Sequence, residues 1–267
     1  MASKPPFFFS PFFLILLLLP LIVDAISATP PFNFSYGGGK EGPDEWGRTY
    51  KTCSHGKFQS PINIMTNQTL PAKSNHPIFT IYRPAFAYLV DNGYNIGVKY
   101  NSEHAEVKID GKIYIMKLMH WHSPSEHRIN GIQYPLELHI VHEAADHSRA
   151  VVSILYKYGA PDPFIASLNP KLAKMHTMVR KGGGSPQVSL GMLNTKFLGN
   201  ISGNYYRYMG SLTTPPCTEP VIWTLLSKLR SVSKKQVLAI RSPLTSRFRH
   251  NCRPIQALNG RTVKEYV

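Results

Sequence analysis

The chain has 267 residues, 43% of them hydrophobic, and carries 30 Lys and Arg against 15 Asp and Glu for a formal net charge of +15. The basic residues are dispersed and form no recognisable binding motif, which argues against nucleic acid as a partner. The charge leaves two readings, an acidic surface or nothing more than solubility, and weak adhesion to acidic cell-wall polysaccharide is an expectation once export is accepted.

In chain order, residues 1–25 begin with Lys4 and run through the apolar stretch Pro11 to Val23, ending in Val23-Asp24-Ala25 with small residues suited to cleavage. This reads as a signal peptide. The other reading, a retained membrane anchor, is disfavoured because the run falls short of the ~20 residues needed and Pro20 interrupts it. The expected location is secreted, to the cell wall or outside the cell, or alternatively an endomembrane-routed organelle. Residues 26–267 are long enough for one domain with a sizeable core, and no repeat or long low-complexity linker divides them.

Short apolar runs at Ile78–Tyr82, Ile96–Tyr100, Ile113–Met119, Val151–Tyr156 and Val221–Leu226 are separated by Gly, Pro and Asn. They argue a mainly β fold of α+β type. Helix is the minority. Phe164, Leu168, Leu172, Met175 and Val179 recur at helical spacing, so Phe164 to Val179 is a helical candidate with Pro170 as a candidate break inside it. A second helix is expected after Ser233, where Gln236 completes a capping box. Asn33, Asn67 and Asn200 open N-x-S/T sequons and are glycosylation candidates. Gly182 to Gly184 reads as a surface loop, because no Gly-Lys-Ser/Thr follows and no strand-loop-helix frame surrounds it. Cys53, Cys217 and Cys252 suit a secreted chain with one bridge and one thiol left over.

The stretch that carries chemistry is Lys117 to His142, KLMHWHSPSEHRINGIQYPLELHIVH. Asn130-Gly131 is a strong type I′ turn signal with apolar alternation on both sides, so the stretch reads as one β-hairpin. With those two residues as the whole turn, cross-strand partners have numbers that sum to 261. His122 then faces His139 at about 5 Å between Cβ atoms, and His120 lies on the same face about 7–8 Å away on the diagonal. Pro124 cannot donate to a ladder and marks a candidate bulge. Glu137 shares the face of His139 and is placed to accept its outer ring N–H. His127 and His142 read as satisfied strand histidines. Three neutral imidazoles leave a divalent ion its full charge and an open fourth position, the pattern of catalytic zinc.

On these residues, and on GPDEWG, QSPINI, HWHSPSEH, LELHIVH, SLTTPPCTEPVIW and RPIQALNGR between Tyr36 and Gly260, the sequence resembles an α-class carbonic anhydrase of the secreted plant-type branch. The resemblance implies a single domain around a large twisted, mostly antiparallel sheet with a few short peripheral helices. It implies a zinc lyase that interconverts carbon dioxide and bicarbonate through zinc-bound hydroxide, with His120, His122 and His139 as ligands. Thr213 and Glu126 then orient the hydroxide. Thr214 and Leu212 border bicarbonate and the metal, and Val141, Val151 and Trp223 line an apolar carbon dioxide pocket. The positions matching Cys53 and Cys217 are bonded in that branch, which leaves Cys252 as a buried thiol or an intermolecular one. No H-E-x-x-H helix is present, so a zinc protease is not expected.

Two departures qualify the resemblance. Tyr94 stands where many relatives carry a proton-shuttle histidine, and a phenol of pKa near 10 is a poor acceptor from a group of pKa about 7. Leu118 stands where the family usually places a glutamine that hydrogen-bonds the first zinc histidine. Both point to slower turnover or weaker metal retention. They sustain the alternative of a carbonic-anhydrase-like binding or storage protein with little activity.

Overall fold

The apolar runs become strands of one large sheet. A computed structural model describes Met1 and residues 33–73, 78–100, 105–182, 184, 186–194, 198 and 203–267. The leader expected before residue 26, Met1 apart, and the sequon at Asn200 lie outside the described residues.

The strands are β1 (Asn63–Ile64), β2 (Leu70–Ala72), β3 (Phe79–Tyr82), β4 (Ala85–Asp91), β5 (Ile96–Tyr100), β6 (Ala105–Ile109), β7 (Lys112–His122), β8 (Arg128–Ile129), β9 (Ile132–Gln133), β10 (Leu136–Glu143), β11 (Arg149–Tyr158), β12 (Gln187–Leu193), β13 (Tyr205–Gly210), β14 (Val221–Leu226), β15 (Arg230–Val232) and β16 (Lys264–Tyr266). The helices are α1 (Trp46–Thr49), α2 (Lys51–His55), α3 (Pro163–Arg180) and α4 (Lys234–Arg241). Among the described residues the large sheet runs β12-β4-β5-β7-β10-β11-β14-β13-β16-β2, with β3, β6 and β15 joined at its sides. Its pairings are antiparallel except β11 with β14, β11 with β15, and β16 with β2. The expected mainly β single domain with few helices is what the chain forms.

The central strands separate two apolar layers by alternation. On one face Met119 and Trp121 of β7, Leu138 and Ile140 of β10, and Val152 and Ile154 of β11 join the main core. There α3 covers them, with the Phe164 ring 5.9 Å from that of Trp121. The other face carries His120, His122 and His139, and beside them a smaller cluster that includes Val151, Trp223 and Leu225. Each fully buried aliphatic or aromatic side chain stabilises the fold by about 1.5–3 kcal/mol. Both faces of β10 are therefore covered, and the histidines are buried and not on an open sheet surface.

The register of the histidine strands differs from the expected one. Asn130 and Gly131 do turn with positive φ, at 51° and 78°, and Arg128 pairs with Gln133 and Ile129 with Ile132, as the sum of 261 requires. That ladder is only the short β8–β9 hairpin, which belongs to a separate small sheet with β1. β7 and β10 pair instead with His139 opposite His120 and Glu137 opposite His122. Five residues, 123–127, separate His122 from β8, while three, 134–136, separate β9 from Glu137, the partner of His122, and this difference of two moves the register by two. A shift of two preserves the face of every side chain, so the three histidines still share one.

The helical candidate forms as α3, which runs unbroken through the candidate break at Pro170. Loss of one N–H and the ring clash cost roughly 3 kcal/mol. The burial of Phe164, Ile165, Leu168, Leu172 and Met175 outweighs that cost, and Asp162 caps the first turn by accepting from Ile165 N–H. α4 begins with the expected capping box between Ser233 and Gln236. Among the described residues no helix is long and apolar enough to cross a membrane.

Candidate metal centre

β7 delivers His120 and His122 one pleat apart, and β10 sets His139 opposite His120. The ring centroids of His120, His122 and His139 lie 4.6–5.3 Å apart. One ring nitrogen from each falls within 4.8 Å of the others. His122 and His139 each have their outer nitrogen engaged. His122 Nδ1 donates to the backbone carbonyl of Asn251, and His139 Nε2 donates to Glu137 Oε1 at 2.7 Å. His122 Nε2 is left buried without a partner. A buried ring nitrogen that no donor satisfies is what a cation would complete.

Electrostatics agree with that use. Burial, with His139 close by, pushes His122 down to a pKa of about 3, and burial likewise lowers His120 and His139. All three imidazoles are neutral near pH 7, the form that ligates. Glu137 holds the outer side of His139. Burial alone would raise its pKa, but facing His127 and His139 brings it well below the carboxylate range. Its Oε2 accepts from the N–H groups of Glu126 and His127, and its Oε1 from His127 Nδ1, His139 Nε2 and Ser153 Oγ at 2.6–2.7 Å. His127, Glu137 and His139 also lie close enough to hold an ion. Both nitrogens of His127 are already bonded, Nδ1 to Glu137 and Nε2 to Tyr208 Oη at 2.7 Å. That trio is a hydrogen-bond network supporting the first.

Glu126 and Thr213 are both buried at the site. Burial raises the Glu126 pKa well above its usual range. The Arg253 N–H, 2.8 Å from Oε1, and the nearby Thr213 hydroxyl pull the other way. Thr213 does not close a full hydrogen bond to Oε2, which lies 3.9 Å from His139 Nδ1. Val141, Val151 and Trp223 stand in a row across β10, β11 and β14, and Leu212 joins their cluster. The Trp223 ring lies 4.8 Å from that of His139. Thr214 is half-buried beside Thr213.

Tyr94 is half-buried against the Phe34 ring, 5.4 Å away, and its backbone carbonyl accepts from Asn251 Nδ2. Burial raises its pKa above 10. Leu118 is half-buried two residues before His120, and His120 Nδ1 is buried with no partner. Cys53 and Cys217 are bonded, with Cα atoms 5.0 Å apart. Cys252 is free and half-buried, its thiol pushed up to a pKa of about 11 by burial. Asn33 and Asn67 are exposed.

Ser153, Asn251 and Arg253 were not singled out from the sequence as site residues. Ser153 was within reach of the alternation rule, because it lies opposite His139 on β11. Asn251 and Arg253 come from an irregular loop more than 100 residues further on, where no periodicity signals a contact.

Three neutral imidazoles on a sheet floor, one braced by a buried carboxylate, with a Glu-Thr pair and an apolar wall alongside, define a class: proteins built for one mononuclear metal centre open on one side. The sequence profile described as eukaryotic-type carbonic anhydrase matches residues 41–267, and the chain belongs to that family, whose α-class members are zinc enzymes. Dioscorin DB3L of Dioscorea polystachya is 36% identical over 264 residues, 96% of this chain and 95% of its own. Alpha carbonic anhydrase 7 of Arabidopsis thaliana is 38% identical over 238 residues, 88% of this chain and 84% of its own. The crystal structure of dioscorin complexed with ascorbate superposes with a TM-score of 0.82 at 34% identity, covering 88% of this chain and 98% of that one.

Proposed function

We propose that the chain catalyses the reversible hydration of carbon dioxide to bicarbonate and a proton, with zinc held by His120, His122 and His139. The observation that carries this is the buried, unpartnered Nε2 of His122 facing two further neutral imidazoles. When bound, zinc supplies the Lewis acidity that makes water acidic near neutral pH, an effect for which carbonic anhydrase is itself the reference case.

The protein's own groups supply orientation. Asn251 and Glu137 fix the tautomers of His122 and His139, so each presents its other nitrogen inward. On closing the hydrogen bond to Glu126 that it approaches here, Thr213 would donate to the carboxylate and have only lone pairs to offer the attacking oxygen, which must keep a hydrogen to satisfy them. That selects one orientation of the nucleophile. Carbon dioxide has no dipole and no donor, so Val141, Val151, Trp223 and Leu212 suit it, while Thr214 borders the anionic product. Tyr94 occupies the position of proton export.

The proposal extends to processing: residues 1–25 as a cleaved leader, 26–267 as the exported domain, glycans at the sequons of Asn33, Asn67 and Asn200, and weak adhesion to acidic cell-wall polysaccharide. Ligand binding with little catalysis is the competing reading, and the observation on its side is the unpartnered Nδ1 of His120. Stopped-flow hydration on purified protein of known zinc content separates the two. The expected result is one zinc per chain, hydration blocked by a sulfonamide, and a loss of about 100-fold in Thr213→Ala. Zinc-loaded protein that leaves carbon dioxide untouched would overturn the enzyme reading.

A further inference from the structure

The positive charge is unevenly distributed. Residues 163–267 hold 16 of the 30 Lys and Arg but only Glu219 and Glu265 of the 15 acids. Between Pro163 and Lys264 the only acid is Glu219, which is turned inward and accepts from the N–H groups of Lys57 and Phe58 and from the Gln59 amide. Asp162, the last acid before this run, is buried and bound to Arg230 at 2.6 Å. An acid-poor segment folded as two adjacent helices gives a face with cations and no local counter-charge.

α3 and α4 pack side by side and leave a groove of about 570 Å³ between them. It continues into a second hollow of about 320 Å³ through the shared residues His176 and Ser242. Lys235 borders the first hollow, and Arg241 and Arg249 border the second. Lys174 and Arg180 are exposed on α3 and Lys181 is exposed at its C-terminal end. Among the described residues no carboxylate pairs with Lys174, Lys235, Arg241 or Arg249; the nearest ion pair along α3 is that of Asp162 with Arg230. His176 Nδ1 donates to Ser242 O at 2.8 Å and fixes the two helices at that point. Phe164 of α3 packs on Trp121, on the sheet face away from the three histidines, so an occupant of this groove does not cover the histidine face.

We propose that the α3–α4 face binds a linear polycarboxylate, a polyuronate chain lying along the groove. The inference rests on the acidic-polysaccharide part of the function proposed above and says where that contact is made. The amide of Asn169 and the hydroxyls of Thr177, Ser233 and Ser242 suit sugar hydroxyls, while the lysines and arginines meet the repeating carboxylates. No Phe, Tyr or Trp lines the groove and its one imidazole, His176, is held by Ser242 O, which disfavours the base stacking that single-stranded nucleic acid needs. Leu238 is the one large apolar side chain of α4 left exposed, too little to enter a bilayer.

The test is retention of the full chain on immobilised polygalacturonate under a salt gradient. Two charge-matched variants are compared: Lys174→Glu/Lys235→Glu/Arg241→Glu/Arg249→Glu on the face, and Lys40→Glu/Lys51→Glu/Lys73→Glu/Lys108→Glu elsewhere. The face variant is expected to lose about tenfold or more in affinity and the control about threefold or less, with binding of the wild type weakening as salt rises. If the face variant fails to fold, Lys174→Glu/Lys235→Glu, which breaks no hydrogen bond of the fold, is expected to show the same preference over two control substitutions. Equal losses in both variants would overturn the face while leaving polysaccharide binding intact. No retention of the wild type at low salt would instead overturn polysaccharide binding itself. Tighter binding to DNA or to anionic vesicles at matched salt would overturn the ligand class.

Discussion

His120 is the one imidazole of the three whose second nitrogen finds no acceptor. Nδ1 is buried and unpartnered, whereas Asn251 and Glu137 hold its two neighbours. Leu118, two residues earlier and on the same face of β7, has no group to offer it. Gly97 and Lys99 lie opposite His120 and Leu118 on β5, and a Cβ at Gly97 would stand 3.1 Å from Leu118 Cδ1, so the leucine fills space that glutamine, of similar length, can occupy. Leu118→Gln is therefore expected to slow zinc loss to a chelator by about 10- to 100-fold. Unchanged loss kinetics would show that the missing acceptor does not limit retention. Tyr94 raises a separate question, because burial keeps its phenol protonated to still higher pH than usual, which leaves no vacant site for an exported proton. Tyr94→His should raise maximal turnover by at least about tenfold, and imidazole buffer should stimulate the wild type but add little to the variant. Absence of both effects would place the slow step elsewhere.

The elements differ in how far the chain announces them. β5 and β14 begin and end where their apolar runs do, and the helix of Ser233 follows from a local cap. The convergence of His120, His122 and His139 was legible because alternation fixes the face of a strand residue. Their cross-strand partners were not, because register depended on how many residues the chain spends between β7 and β8, a length no local signal reports. Asn251 and Arg253 were invisible for a related reason: loops bring residues to a site by tertiary contact. Gln236 shows one element organising another. Its Oε1 accepts from the N–H groups of both Ser233 and Asp162, and its Nε2 donates to Asp162 O, so one buried side chain joins the starts of α3 and α4. Gln236→Leu should destabilise the fold by about 3 kcal/mol, because two N–H groups lose their partner and the Asp162 carbonyl keeps only Ala166 N–H. Urea unfolding would measure it, and a loss below about 1 kcal/mol would mean water or backbone takes over these bonds.

Three distant parts of the chain meet beneath the candidate metal centre, and the disulfide bonds two of them. Cys53 and Cys217 lie 164 residues apart in sequence. Gln59 donates to Cys217 O, while Arg253 reaches Cys53 O, Gln59 Oε1 and Ser60 O with its guanidinium and Glu126 with its N–H. Ser60 N–H in turn donates to Ser211 Oγ, two residues before Thr213. The bond therefore constrains the unfolded chain and also anchors the loop that carries Thr213. In the chain-entropy model a loop of this length contributes on the order of 5 kcal/mol, a third or more of the stability of a typical domain. Cys53→Ser/Cys217→Ser is expected to lower the unfolding free energy by several kcal/mol in urea titrations. It should also reduce hydration per folded molecule severalfold at a temperature where the variant stays folded, with zinc content unchanged, because Thr213 loses its anchor and the three imidazoles do not. A variant that loses stability yet hydrates carbon dioxide at the full rate per folded molecule would show that Arg253 and Ser211 hold the loop without the bridge.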